Sequence, residues 1–187
     1  MTLTHSLVPL SLRRPLWISA CVAAAVALSF AFNCAAPLAA FAAIAALTMN
    51  SRREALALTA AIWFANQAVG FLFLNYPTGG STLAWGGAMG VIALISCEAA
   101  ALVGRRVDGL AGAAAAFLAA FVVYKALIFG FGAAMGSSAG HVDSLLTTLP
   151  RIFLINACAF AALGALHALG AAGRRAPETR TLAPRHI

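Results

Sequence analysis

Residues 16–49 read LWISACVAAAVALSFAFNCAAPLAAFAAIAALTM, without a single charged side chain. As one helix this block would be ~50 Å long, far more than the roughly 30 Å hydrocarbon core of a bilayer. It must therefore fold back on itself. Asn33 and Pro37 mark the turn, because a polar side chain suits a membrane interface and proline suits the first turn of a helix. The block predicts two short helices, residues 16–32 and 35–49.

The rest of the chain is equally apolar. Of its 187 residues, 63% are hydrophobic and 9% are charged, and the mean hydropathy is +0.93. A soluble domain of this size cannot bury so much apolar surface. Four further blocks reach or exceed the roughly 20 residues that span a bilayer: 55–74, 83–103, 110–135 and 149–169. We therefore predict an all-α integral membrane protein, with six transmembrane helices in a single domain over residues 1–173.

Arginine pairs predict the topology. They precede helix one, follow helices two and four, and recur after helix six, at Arg13, Arg14, Arg52, Arg53, Arg105, Arg106, Arg174 and Arg175. The connectors 75–82 and 136–148 contain no lysine or arginine. The positive-inside rule then places both termini in the cytoplasm, in a bacterial inner membrane. Residues 174–187 form a basic, proline-containing tail that we expect to be disordered.

Several functions are disfavoured by the sequence. The net charge of +7 comes from arginines at helix ends and not from one basic face, which favours anionic lipid headgroups over nucleic acid as the partner. The only lysine, Lys125, follows Tyr124, so no phosphate-binding P-loop is present. No zinc-binding, HExxH or GxSxG pattern appears either. We expect no catalytic residue, no resident metal and no cofactor, and so not an enzyme.

Small residues suggest where helices meet. The first helix carries the pairs Ala20 with Ala24 and Ala23 with Ala27, whose spacing allows close backbone contact in lipid. They predict either internal packing or a docking face for another membrane subunit.

Polar residues inside the predicted spans are candidates for function, because they are costly in lipid unless partnered or hydrated. Glu98 and Lys125 are expected to form a structural ion pair. A second group collects towards the uncharged connectors and predicts a ligand cavity, apolar with a few directing polar groups: Asn66, Gln67, Tyr76, Trp85, Arg151 and Asn156. The alternatives are an interfacial aromatic belt for Tyr76 and Trp85, and lipid headgroups or Asp143 as the partner of Arg151.

The architecture resembles the S-components of energy-coupling-factor vitamin transporters in length, helix count, small-residue pairs on helix one and the lack of an ATPase motif. The stretch NQAVGF at residues 66–71, followed by Tyr76 and Pro77, is most similar to the small proteobacterial cobalamin-uptake family, the BtuM type. The resemblance implies a subunit that binds cobalamin or a related corrinoid from the periplasm and docks on a shared transmembrane coupling subunit with ATPases. Some members ligate cobalt through a cysteine, and Cys34 is the cysteine placed to reach such a cavity.

Two other functions stay open at this point. A cobalt or nickel permease would use His141, Asp143, His167 and Glu98 as candidate metal ligands. A non-transporting membrane scaffold would use the small-residue faces to bind partners, with the polar residues only stabilising the bundle.

Overall fold

The computed structural model describes residues 10–32, 37–137 and 140–172, with side chains from residue 14 onwards except at 144, 145 and 172. Cys34 and the tail 174–187 lie outside the described residues. Within those ranges every regular element of more than one residue is an α-helix. The six helices are α1 (Leu10–Ala31), α2 (Leu38–Thr48), α3 (Arg52–Leu72), α4 (Gly80–Gly104), α5 (Gly109–Ala134) and α6 (Val142–Ala172). The predicted all-α fold is confirmed.

Five of the helices, all except α2, are long and apolar enough to cross a membrane. The chain is a multi-pass membrane protein by this criterion. Helix α2 has 11 residues, or ~16 Å at 1.5 Å per residue, about half of the hydrocarbon thickness.

Helix α2 is the centre of the bundle. All eight residues from Leu38 to Ala45 are buried, and they supply both apolar clusters of the core. One cluster joins α2 to α1, α3, α4 and Leu163 of α6, while the other joins it to α4, α5 and α6. A helix that is apolar on every side must be buried on every side, and its alanines allow neighbours to approach closely.

The two ends of the bundle differ in charge. At the end that we call the arginine end, Arg14 forms an ion pair with Glu54, and Arg52 donates to Glu98 at 2.6 Å. These contacts join the starts of α1 and α3 to the last turns of α4. The opposite end, which we call the open end, contains the α3–α4 loop of residues 73–79.

Two local predictions are wrong. The ion pair of Glu98 with Lys125 is replaced by Glu98 with Arg52, because Lys125 lies roughly 15 Å deeper along its helix than Glu98 does. Helix α6 begins at Val142 and continues through Pro150. Asp143 therefore lies in the first turn of α6, and Arg151 lies more than two turns inside the helix instead of opening it.

Candidate functional site

A cavity of about 390 Å³ opens between α3 and α4 at the open end of the bundle. It lies within the volume range of small-molecule sites, near the lower limit. Ten residues from the second half of α3, the loop and the first half of α4 form its wall: Asn66, Gln67, Gly70, Phe71, Tyr76, Ser81, Thr82, Trp85, Gly86 and Met89. Of the predicted ligand residues, the structure brings Asn66, Gln67, Tyr76 and Trp85 together here.

The amide side chains come from adjacent positions on α3. Asn66 is 1% exposed, and its Nδ2 donates to Ser29 Oγ of α1 at 3.1 Å. Gln67 is half-buried and lies against Gly86 of α4. A buried amide at this depth needs partners within the protein because lipid offers none. The α1 hydroxyl thus fixes Asn66 at the cavity wall.

Two glycines allow α4 to approach α3 at this point. A Cβ on Gly86 would lie 2.8 Å from Gln67 Oε1, and a Cβ on Gly90 would lie 2.6 Å from the Trp63 ring. Trp63 in turn donates its indole N–H to the carbonyl oxygen of Gly86 at 2.8 Å. The sequence analysis missed these residues. Their spacing is a GxxxG motif, the signal for close helix packing in membranes, and could have revealed them.

The loop folds back towards the end of α3. Asn75 has φ of 52°, a left-handed conformation that asparagine adopts more readily than most residues. The next residue, Tyr76, donates its backbone N–H to the carbonyl oxygen of Gly70 at 3.1 Å. This turn brings the Tyr76 side chain to the cavity. Trp85 forms the facing part of the wall, where it meets Phe131 of α5 edge to face, with ring centroids 4.9 Å apart.

The cavity is electrically neutral. None of the described residues that line it carries a charge, while amides, hydroxyls and aromatic rings are all represented. Aromatic faces offer stacking surface, and amides offer both donors and acceptors. The wall is therefore suited to an uncharged ligand with a flat apolar part and several hydrogen-bonding groups.

Arg151 and Asn156 are outside this cavity wall. Arg151 is exposed on α6. Asn156 is buried, where its Oδ1 accepts from the backbone N–H of Ala40 at 3.1 Å and its Nδ2 donates to Ile152 O at 2.9 Å. Asn156 thus satisfies one N–H of the first turn of α2, where the N–H groups have no partner within their own helix.

The candidate metal ligands are divided between the two ends. His141 and Asp143 lie at the start of α6, whereas Glu98 lies at the arginine end. His167 packs against Trp17, with ring centroids 5.0 Å apart, and Trp17 donates to Thr48 at the arginine end. The described residues contain no group of three or more potential metal ligands.

The alanine pairs on α1 are divided in another way. Ala20, Ala23 and Ala27 are exposed on the outer face of the helix, whereas Ala24 packs against the core.

In comparisons with known proteins, no family model, no curated protein and no solved structure matches this chain.

Proposed function

We propose that this chain is the substrate-binding membrane subunit of an uptake system, and that its ligand binds in the cavity between α3 and α4. The observation that carries the proposal is a neutral cavity, lined by amides and aromatic rings, at the end of the bundle opposite the arginine clusters. With the arginine end in the cytoplasm, as the positive-inside rule favours, that cavity faces the periplasm. A scavenged nutrient would reach it from there.

This topology requires six crossings of a bacterial inner membrane. Helix α1 ends at the open end, where Phe30 contacts Phe73 with ring centroids 5.6 Å apart, and α3 begins at the arginine end with Arg52. The chain must return between them, and α2 supports that return as the short central crossing. Both termini are then cytoplasmic on this proposal.

A corrinoid is the ligand class that we favour, on the resemblance of residues 66–71. A corrinoid is larger than this cavity. We therefore propose that one amide-bearing edge of the ligand enters the cavity, while the rest of the ligand stays at the mouth of the cavity. Asn66 and Gln67 would pair with carboxamides of that edge, and Trp85 would offer a stacking face.

Purification from cells grown with cyanocobalamin tests the ligand class. A coloured corrinoid that copurifies supports it, whereas a divalent metal favours a permease and an empty protein favours a scaffold. Replacing Gln67 with Met keeps the volume but removes the amide, and we expect about a fivefold loss of affinity, the worth of one neutral hydrogen bond. Arg151→Ala, outside the cavity wall, is the control and should leave affinity unchanged. Equal affinities in both variants would contradict the site.

A transmembrane coupling subunit with ATPases is the partner that we propose for α1. Ala20, Ala23 and Ala27 form an outward face of small residues, and such a face lets another helix approach closely. Ala23→Phe should then impair uptake in cells and leave binding by the purified protein intact. Ala114→Phe, on the exposed side of α5, is the matched control. Equal uptake in the two variants would argue against this docking face.

A further inference from the structure

A second cavity, of about 310 Å³, lies between α3 and α4 at the arginine end. Its wall combines the last turn of α2 with the start of α3 and the end of α4, and includes Met49, Arg52, Cys97, Glu98, Ala101 and Arg105. Its volume is close to that of the cavity at the open end. The same pair of helices therefore frames a cavity at each end of the bundle.

The two cavities are close along this seam. On α4, Met89 lines the first cavity and Cys97 lines the second. Their positions differ by eight, which is roughly 12 Å of helix. On α3, Thr59 lies between the two walls, beside the Cys97 thiol. A layer of buried side chains roughly 12 Å thick, which includes Thr59, Ile62 and Ala93, thus divides one cavity from the other.

Trp63 is the largest side chain of that layer. Its ring lies across Gly90, where a Cβ would be 2.6 Å from the ring, and its indole N–H is bound to Gly86, a residue of the first cavity wall. Ile62 and Ala93 are buried beside it. Because the ring rests on Gly90 and its N–H is bound to Gly86, a rotation of this side chain breaks that hydrogen bond and vacates the largest side-chain volume in the layer.

The arginine end of the seam is closed by an ion pair. Arg52 of α3 donates through Nε to Glu98 Oε1 of α4 at 2.6 Å, and the Arg52 side chain is 67% exposed. Exposed ion pairs are weak because water screens them and competes for both groups. The contact can therefore open at small cost.

We propose that the seam between α3 and α4 is the path by which the ligand crosses this protein, with the second cavity as an inner site whose charged side chains hydrogen-bond the amide-bearing edge of the same ligand. Trp63 separates the two sites, and the Arg52–Glu98 pair closes the inner one. This inference rests on the proposed function for its ligand, but the path itself is tested without any ligand.

Cys97 is a native reporter for that test, because it lines the inner cavity and is 1% exposed. In the full chain, Cys21, Cys34 and Cys158 are replaced by Ala, so that Cys97 is the only thiol. Sealed vesicles of known orientation are treated from one side with a charged, membrane-impermeant methanethiosulfonate. The reagent forms a mixed disulfide with the thiol and releases methanesulfinate, and the modified fraction is followed by mass.

From the open end, Cys97 should react slowly in the parent protein and at least about tenfold faster in Trp63→Leu, because local opening controls access to a buried thiol. Trp63→Phe, which keeps a ring over Gly90, should react like the parent. Phe64→Leu is the matched control, since Phe64 is 67% exposed on the outer face of α3. From the arginine end, Glu98→Gln should accelerate the reaction while the open-end rate stays low.

The proposal is overturned if Trp63→Leu reacts from the open end no faster than Phe64→Leu. Equal acceleration from both sides would also overturn it, because general loosening and not a path would then expose Cys97. Neither result touches the cavity at the open end, whose ligand binding is measured separately on purified protein. Failure of the path and failure of the proposed function are thus distinguishable.

Discussion

Gly90→Ala should destabilise the bundle, whereas Gly87→Ala should not. Both glycines lie on α4, three residues apart, so their intrinsic helix preferences are matched. A Cβ on Gly90 would lie 2.6 Å from Cε2 of Trp63 and 2.9 Å from both Cδ2 and Nε1, whereas a Cβ on Gly87 meets nothing within 4 Å. The comparison therefore isolates the packing of α4 on the Trp63 ring.

The magnitude follows from these distances. Carbon atoms pack best at about 3.5–4.0 Å, so the indole ring must retreat by roughly 1 Å from the new methyl group. Overpacking of this kind costs about 1–3 kcal/mol. The same shift stretches the 2.8 Å bond from Trp63 to Gly86, whose loss costs about 1 kcal/mol. We expect Gly90→Ala to be less stable than Gly87→Ala by about 2–4 kcal/mol.

Reversible unfolding in mixed micelles, as the mole fraction of sodium dodecyl sulfate rises, measures the free energy of unfolding of the parent and both variants. Tryptophan fluorescence, to which Trp17, Trp63 and Trp85 contribute, follows the transition in the same experiment. Gly90→Ala combined with Trp63→Phe should recover part of the loss, because the smaller ring leaves room for the methyl group. Stability of Gly90→Ala equal to that of Gly87→Ala would refute the close approach of α4 to α3.

Two further predictions concern the central helix and the topology. Asn156→Leu should reduce the free energy of unfolding by about 2 kcal/mol, because it leaves the buried N–H of Ala40 without an acceptor. Cys158→Ala, on the exposed side of α6, is the control and should change that free energy by less than about 0.5 kcal/mol. Equal effects of the two variants in the same micelle assay would contradict the role of Asn156 as an acceptor for α2. A reporter enzyme active only in the cytoplasm should work when fused after Arg106 and stay silent after Gly80, and activity at Gly80 would reverse the proposed orientation.

The length and position of most helices could be predicted from hydropathy, because apolar runs and arginine pairs mark where lipid ends. Helix α6 shows the limit of that reasoning. The apolar run predicts a span from residue 149, yet the helix begins at Val142 and continues through Pro150. Proline lacks an N–H and disfavours a helix locally, but neighbouring turns can carry the helix past it in a membrane protein.

Which residues share the cavity wall could be predicted where they are close in sequence, whereas the two residues on α6 do not reach that wall. Tyr76 and Trp85 belong to one hairpin with α3, so chain connectivity alone brings them near residues 66–67. Arg151 and Asn156 were predicted from depth in the membrane. Depth gives the height of a residue on its helix but not the direction in which it faces. That direction depends on the packing of α6 against α2, which turns Asn156 inwards and leaves Arg151 exposed.

The position of the cavity follows from the shortness of α2. Its last residue, Thr48, bonds to Trp17 at the arginine end, while its first turn bonds to Asn156, close to the middle of α6. With a helical length of only ~16 Å, α2 fills the arginine half of the bundle. In the part of the chain that the structure describes, α2 does not extend into the open half, and there α3 and α4 enclose a cavity beside their loop. The Asn156 amide accepts a hydrogen bond from the start of α2 in mid-membrane, where an unsatisfied helix end could not remain. Because α2 can begin at that depth only with such a partner, this contact is also a condition for the cavity.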